Sequence, residues 1–338
     1  MHPLPQSISA VKTSSMFEDI QALVAPELNQ VNRLILTHLN HHLPIITRIA
    51  QHLIAAGGKR IRPLVALLST KCFNYKGPHH IALAAAVEYI HSATLLHDDV
   101  VDNSTKRRGA ASANEVWGNK APILVGDFLF SFAFDLMVDC NNLKVLKILS
   151  EASMKITQGE LLQLRQSQNL AMTKEAYFDI ISGKTAALFE AACEVGPALT
   201  PTCERFRSPM KRFGFELGCL FQIMDDLLDY GIGTSSLGKP LGKDFEEGKV
   251  TLPIIIAFTR GTPKERDFWT KAMEGKTRSV AQFQQAASLL KEHDVIPTIL
   301  HLAQAHATRA HQLLQDIPPS PAKEGLELLV QFSLNRTC

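Results

Sequence analysis

Apolar residues recur three and four positions apart through most of the 338-residue chain, whereas alternating runs bounded by turn pairs are nearly absent. That spacing predicts an all-α protein. The helices it delimits lie at about 17–40, 44–56, 64–73, 79–101, 110–117, 121–138, 142–165, 174–195, 202–230, 250–260, 280–292, 297–315 and 322–336. Breaks fall at Gly57-Gly58, Gly196-Pro197, the stretch 231–249, Gly261-Thr262-Pro263 and Ile317-Pro318-Pro319-Ser320-Pro321. No internal repeat or composition shift marks a boundary. Residues 21–338 therefore read as one helical domain behind a frayed lead-in over 1–20.

Two of these helices are nearly uncharged until they end in carboxylates. The segment IALAAAVEYIHSATLLH offers Glu88 as its only formal charge before His97-Asp98-Asp99-Val100-Val101-Asp102. A helix apolar on most faces belongs at the centre of a bundle, so its acidic end points into a cavity. Asp98 and Asp102, at i and i+4, share one face with Asp99 beside them, and His91 lies two turns earlier on the same stripe. Three carboxylates within one turn repel one another, and the preceding turn, Thr94-Leu95-Leu96, supplies no cation. A hard divalent cation on oxygen ligands accounts for them better than a solvated acidic end. FELGCLFQIM leads in the same way to Asp225, Asp226 and Asp229, with Gln222 one turn before Asp226. Two such ends imply carboxylates on opposing walls of one cavity, and magnesium there usually bridges carboxylates to substrate phosphates. The expected ligand is a diphosphate.

Basic residues stand where an anion would need them. Gly57-Gly58-Lys59-Arg60-Ile61-Arg62-Pro63 breaks one helix and starts the next with proline in its first turn, so Lys59, Arg62 and free backbone N–H groups can converge on a phosphate. Arg107-Arg108-Gly109 follows the first cluster. Lys184-Thr185 sits in an otherwise apolar helix, where a lysine needs an anion or water. Lys239, Lys243 and Lys249 punctuate a Gly-rich stretch that reads as a flap.

Composition narrows the class. With 35 Lys+Arg against 33 Asp+Glu the net charge is +2, which argues against a nucleic-acid binder and makes any electrostatic function local. Six cysteines at 72, 140, 193, 203, 219 and 338 form no CxxC pair and read as reduced. The N-terminus lacks the pattern of a signal or transit peptide. No run approaches the roughly 18 apolar residues that span a bilayer, the longest candidate being interrupted by Asp127. A cytoplasmic protein is expected, with at most peripheral membrane contact.

Five separated motifs, DDVVD followed by RRG, DDLLD preceded by FQIM, GGKRIRP, GKTAALFEAA and GKPLGKDFEEGKVTLP, together resemble the trans-isoprenyl diphosphate synthases. The resemblance runs from about residue 30 onward and is strongest to bacterial long-chain octaprenyl to decaprenyl members. It implies a class I isoprenoid synthase bundle with a central cavity, homodimerisation, and about three magnesium ions held by Asp98, Asp99, Asp102, Asp225, Asp226 and Asp229. Lys59, Arg62, His91 and Arg108 would bind isopentenyl diphosphate; Arg107, Lys184, Thr185, Gln222, Lys239 and Lys249 would face the allylic diphosphate, Lys184 among the catalytic residues. His97, beside the metals, reads as a packed histidine rather than an acid or base.

The resemblance also bears on product length. Ala93 and Thr94, five and four residues before Asp98, are small where the family's short-chain members carry bulky aromatics. A product of about forty to fifty carbons for quinone side chains follows, its pocket floored near Phe128, Phe130, Phe132 and Phe134 unless these are ordinary core or interface residues. A shorter-chain synthase and a non-catalytic subunit of a heteromeric synthase stand as alternatives. A class I terpene cyclase would need neither the isopentenyl site nor a second full DDxxD.

Overall fold

The computed structural model describes residues 10–39, 43–55, 57–231, 241–275 and 277–336. Helices α1 (Ala10–Ala22), α2 (Ala25–Leu39), α3 (Pro44–Ala55), α4 (Ile61–Cys72) and α5 (His79–Val101) precede a small antiparallel hairpin, β1 (Lys106–Arg107) with β2 (Ala110–Ala111). Next come α6 (Ala113–Trp117), α7 (Lys120–Asp139), α8 (Leu143–Arg165) and α9 (Lys174–Ile181). A π-helical turn (Ser182–Ala186) joins α9 to α10 (Ala187–Ala198), and a 3-10 turn (Pro201–Phe206) opens α11 (Arg207–Leu228). The remainder is α12 (Lys243–Glu247), α13 (Leu252–Arg260), α14 (Pro263–Glu274), α15 (Val280–Glu292), α16 (Val295–Leu314) and α17 (Pro321–Leu334).

The two apolar helices take the positions their composition requires. α5 lies among α2, α4, α7 and α10, with Leu83, Ala84, Ala85, Ala86, Val87 and Ile90 all closed from solvent on successive faces. α11 is covered by α10, α16 and α17. One hydrophobic cluster runs through the described residues from Phe17 to Phe332. Both acidic ends emerge from this cluster, so the fold sets the two carboxylate groups at the termini of two long core helices.

Several features depart from the sequence expectations. The lead-in is helical from Ala10 rather than frayed to residue 20, because Phe17 and Ile20 bury their side chains and Phe17 packs on Phe332 at 4.8 Å between ring centroids. α14 falls in a segment left without a helix; its pattern is highly charged, yet Trp269, Ala272 and Met273 face the core and Thr262 with Glu265 closes a capping box. The segment 174–195 is not one regular helix but contains the π-turn. α7 is long and apolar enough, by length and composition, to cross a bilayer despite Asp127, although here it packs along α5. The described cysteines are all free, and Cys72, Cys140, Cys193 and Cys219 are buried.

Candidate active site

At the end of α5 the three carboxylates divide. Asp98 and Asp102 share one face and stay partly exposed, while Asp99 turns inward, only 1% exposed. Arg107 Nε and Nη2 each donate to Asp99 at 2.8 Å. The hairpin makes this possible: Arg108 (φ 50°) and Gly109 (φ 83°) form a two-residue turn with both residues left-handed, the type I′ pattern that folds β2 tightly back on β1. Arg107 is thus a brace for the acidic helix end. Asp102 meets Lys249 Nζ at 2.9 Å, and Lys249 also meets Glu247 at 2.7 Å. Burial alone would lower the Lys249 pKa, but Asp102, Glu247 and Asp244 outweigh it and hold the ammonium charged.

The π-turn brings Lys184 to the same wall. Gly159 on α8 and Gly183 touch backbone to backbone, and a Cβ on Gly159 would run into the Lys184 nitrogen. This close crossing seats the irregular turn, a feature that often marks functional sites, and puts Lys184 Nζ 2.6 Å from Glu160 and 3.6 Å from Asp98. Burial raises the pKa values of both carboxyls, and Lys184 opposes the rise in each. Thr185, one residue on, donates to Gln222 Oε1 at 2.8 Å, and Gln222 Nε2 donates to Asp226 Oδ1 at 2.6 Å. These two predicted ligand-facing residues are therefore tied to one another.

The end of α11 repeats the division. Asp225 has a side chain 40% exposed and accepts from Arg336 Nη2 at 3.2 Å. Asp226 is buried and held by Gln222 and by Tyr177, whose hydroxyl donates at 2.7 Å. Burial, then the neighbouring Asp244, pushes the Asp226 carboxyl well above the usual range. Asp229 caps α12: its two carboxylate oxygens accept the backbone N–H groups of Lys243 and Asp244 at 3.1 and 2.9 Å. Of six predicted metal-binding aspartates, Asp98, Asp102 and Asp225 remain turned to the cavity, each against one cation, while Asp99, Asp226 and Asp229 are engaged by the protein. Among the described residues no group of three or more such ligands could hold a metal ion. The hard oxygen donors of these aspartates suit a divalent cation.

A second set of groups forms an anion site nearby. Arg62 Nη1 donates to His91 Nε2 at 3.1 Å, which makes His91 neutral in this arrangement. Burial, reinforced by Arg62 and Arg108, holds the His91 pKa well below its ordinary value; burial also pushes Arg62 down to about 10. The Arg108 guanidinium packs against Gly58, where φ is 154° and a Cβ would collide with it. Arg60, left-handed at the start of α4, pairs with the buried Glu88. Lys59 reaches over the Phe332 ring, 4.7 Å from its centroid. Arg62 stacks on Phe189, Arg336 on Phe221, and the two rings are 5.5 Å apart, so α10 and α11 carry both guanidinium groups on one aromatic pair. Arg62 Nε and Arg336 Nε and Nη1 are buried without hydrogen-bond partners, donors that a diphosphate could fill. Lys239 lies outside the described residues. Lys243 donates to the Lys106 carbonyl at 3.1 Å and pairs with Glu247.

Comparison with known proteins is decisive at this point, since the polyprenyl synthetase family model matches residues 43–290. The chain belongs to the polyprenyl synthetase family. It is 38% identical over 320 residues to the octaprenyl diphosphate synthase of Escherichia coli (strain K12), covering 94% of this chain and 98% of that one. The crystal structure of a decaprenyl diphosphate synthase from Rhodobacter capsulatus superposes with a TM-score of 0.90 at 40% identity, covering 95% and 99% of the two chains. A polyprenyl synthase from Caulobacter crescentus CB15, complexed with calcium and isoprenyl diphosphate, gives 0.90 at 42%, covering 95% and 98%. The activity class is that of a prenyltransferase, and the all-α fold is shared throughout.

Within the polyprenyl synthetase frame, the sequence reading missed Glu160, Tyr177, Asp244 and Arg336. Glu160 stands in GELLQ on a mixed helix, and nothing local distinguishes it. Asp244 was visible inside GKDFEEGK but was passed over for its lysines. His97 is the hydrogen-bonded alternative to a packed histidine, about a third exposed, with Nε2 3.2 Å from the Ile123 carbonyl and 3.3 Å from Asp127. Along α5, His91, Thr94 and Asp98 are all half-buried on one stripe, whereas Ala93 is fully closed. Phe132 packs edge-on to Tyr89 at 5.3 Å and to His38 at 4.8 Å, with Phe128 stacked beside it; Phe130 and Phe134 pair separately.

Proposed function

We propose that this protein is a magnesium-dependent, long-chain all-trans-polyprenyl diphosphate synthase that adds isopentenyl diphosphate head to tail onto an allylic diphosphate such as farnesyl diphosphate. The observation that carries the reading is the juxtaposition of two different anion-holding sets: carboxylates opposed by cations at the ends of α5 and α11, and Arg62, His91 and Arg108 beside them. Two diphosphates can then be held at once, one through metal and one through guanidinium groups.

Asp98, Asp102 and Asp225 would hold the magnesium ions, which supply Lewis-acid stabilisation of the departing diphosphate. Lys184 and Lys249 give that diphosphate fixed positive charge where negative charge develops. Arg62, Arg108 and Lys59 orient isopentenyl diphosphate, with Arg336 closing the cavity beside Phe221. The allylic cation left behind is sheltered from water by the Leu, Ala and Phe side chains of the bundle. Its attack by the isopentenyl double bond ends with loss of a proton. As the family resemblance implies, the departed diphosphate takes that proton, and neutral His91 stays committed to Arg62.

The homodimer is part of this proposal. Ile123 and Leu124 on α7 and Met154, Leu161 and Leu164 on α8 are exposed large apolar side chains, of the kind a second copy covers. The small residues at 93 and 94 favour a product of about forty to fifty carbons, suited to quinone side chains and apolar enough to be released at a membrane surface from a cytoplasmic enzyme. Incubating the purified chain with isopentenyl diphosphate, farnesyl diphosphate and magnesium tests the reading. Chromatography of the dephosphorylated products should show chains beyond twenty carbons; fifteen- or twenty-carbon products would refute the chain length, and no consumption of isopentenyl diphosphate would refute synthase activity.

A further inference from the structure

Tyr177 lies on α9 seven residues before Lys184, 3% exposed, and its hydroxyl has one hydrogen-bond partner, Asp226 Oδ2 at 2.7 Å. Packing alone would be served equally by phenylalanine. The hydroxyl is explained by what it completes. Asp226 Oδ1 receives Gln222 Nε2, and Gln222 Oε1 receives the Thr185 hydroxyl, so four side chains form one continuous chain from α9 through α11 and back to the π-turn. The Tyr177 hydroxyl and the Gln222 amide NH2 both donate to Asp226, which leaves the Gln222 oxygen to accept from the Thr185 hydroxyl. Two of the four members belong to the α9–π segment and two to α11, one turn apart. The chain therefore sets the register between the backbone that carries Lys184 and the helix that carries Asp225.

We infer that Tyr177 is a positioning residue for the allylic diphosphate site: by anchoring Asp226 it fixes the π-turn, and so Lys184, against Asp225. It touches neither substrate nor metal. The inference rests on the placement of Lys184 and Asp225 at that diphosphate. With the hydroxyl removed, Asp226 keeps only Gln222, and both can rotate away from Thr185. Partners one layer behind a metal site typically matter by about 10- to 100-fold in affinity or activity.

Tyr177→Phe removes one oxygen and preserves the packed ring. Its kcat/KM for farnesyl diphosphate should fall about 10- to 100-fold, while the KM for isopentenyl diphosphate, set by Arg62, His91 and Arg108, stays unchanged. The rise in melting temperature given by magnesium with inorganic diphosphate should shrink. Because the hydroxyl acts through Asp226, adding Tyr177→Phe to Asp226→Asn should cost nothing further. Thr185→Val, which cuts the chain at its other end, should give the same kinetic pattern and serves if the first variant folds poorly. A lower melting temperature with the allylic kcat/KM and the magnesium-diphosphate shift both intact would reduce Tyr177 to a structural role and overturn the inference, as would additive losses in the double variant. Asp98→Ala run in parallel tests the site itself: if it retains the wild-type shift, the underlying metal assignment fails rather than the role of Tyr177.

Discussion

On α5 a single step of the helix separates a carboxylate that faces the cavity from one that does not. Asp98 and Asp99 are the same residue type in the same motif, yet Asp99 is bidentate with Arg107 and Asp98 waits opposite Lys184. The sequence made the clusters legible because like charges at helical spacing need a compensating ion. It did not show which member points where, since the deciding partners lie far along the chain: Tyr177 is 49 residues from Asp226 and Arg336 is 111 from Asp225. The same stripe logic sharpens the chain-length positions. Thr94 shares a half-buried face with His91 and Asp98, whereas Ala93 is fully enclosed, so added bulk at 93 must also displace the core at about 1–3 kcal/mol. Thr94→Phe should shorten the product to twenty carbons or fewer with little loss of melting temperature. Unchanged product length by chromatography would mean that the chain grows along another face of α5.

Between elements, the crossing of α8 and the π-turn is the tightest constraint on the site. Gly159 and Gly183 meet without side chains, and the irregular turn that follows aims Lys184 at Asp98 and Glu160. Gly159→Ala should destabilise the fold by about 1–3 kcal/mol and also lower kcat, because the new methyl meets the Lys184 backbone itself. Gly325→Ala is the contrasting case: its methyl would meet only the ends of Leu23 and Leu68, which can move, so kcat should be preserved. Equal effects of the two substitutions on kcat would show that the crossing does not position Lys184. A π-turn leaves no mark in apolar periodicity, since the pattern of residues 174–195 reads equally well as one helix. α14 was hidden for the opposite reason: its charged outer face masked the stripe of Trp269, Ala272 and Met273, although Thr262-Pro263 with Glu265 is a start signal that could have been read. The core helices α5 and α11 were legible because burial along their length demands a nearly continuous apolar pattern before the acidic ends.

At the scale of the whole molecule, a net charge of +2 conceals carboxylates crowded at the meeting point of α5, α8, α11 and α12, and this crowding has a measurable cost without metal. Burial, then Asp229, pushes the Asp244 carboxyl up to about 7 from an ordinary value of 3.8; Asp98 and Glu160 are raised by burial in the same direction. A carboxyl whose folded-state pKa is raised binds its proton more tightly in the native state, so this contribution to stability is present at low pH and lost as pH rises through 7. His91 works the other way. Its pKa is held well below 6.5 in the fold, so beneath 6.5 the unfolded chain takes the proton and the His91 contribution falls, opposing the carboxyls there. Above pH 6.5 His91 no longer contributes a slope, so metal-free protein should lose about 1 kcal/mol between pH 6.5 and 8 through Asp244 alone. Magnesium with inorganic diphosphate neutralises the crowded carboxylates without protons, so the rise in melting temperature it produces should be larger at pH 8 than at pH 6.5. Thermal melts at the two pH values, with and without magnesium diphosphate, measure both differences. A metal-free melting temperature that climbs from pH 6.5 to 8 would mean that the acidic walls are not charge-strained, and a shift independent of pH would mean that the metal does not compete with protons for them.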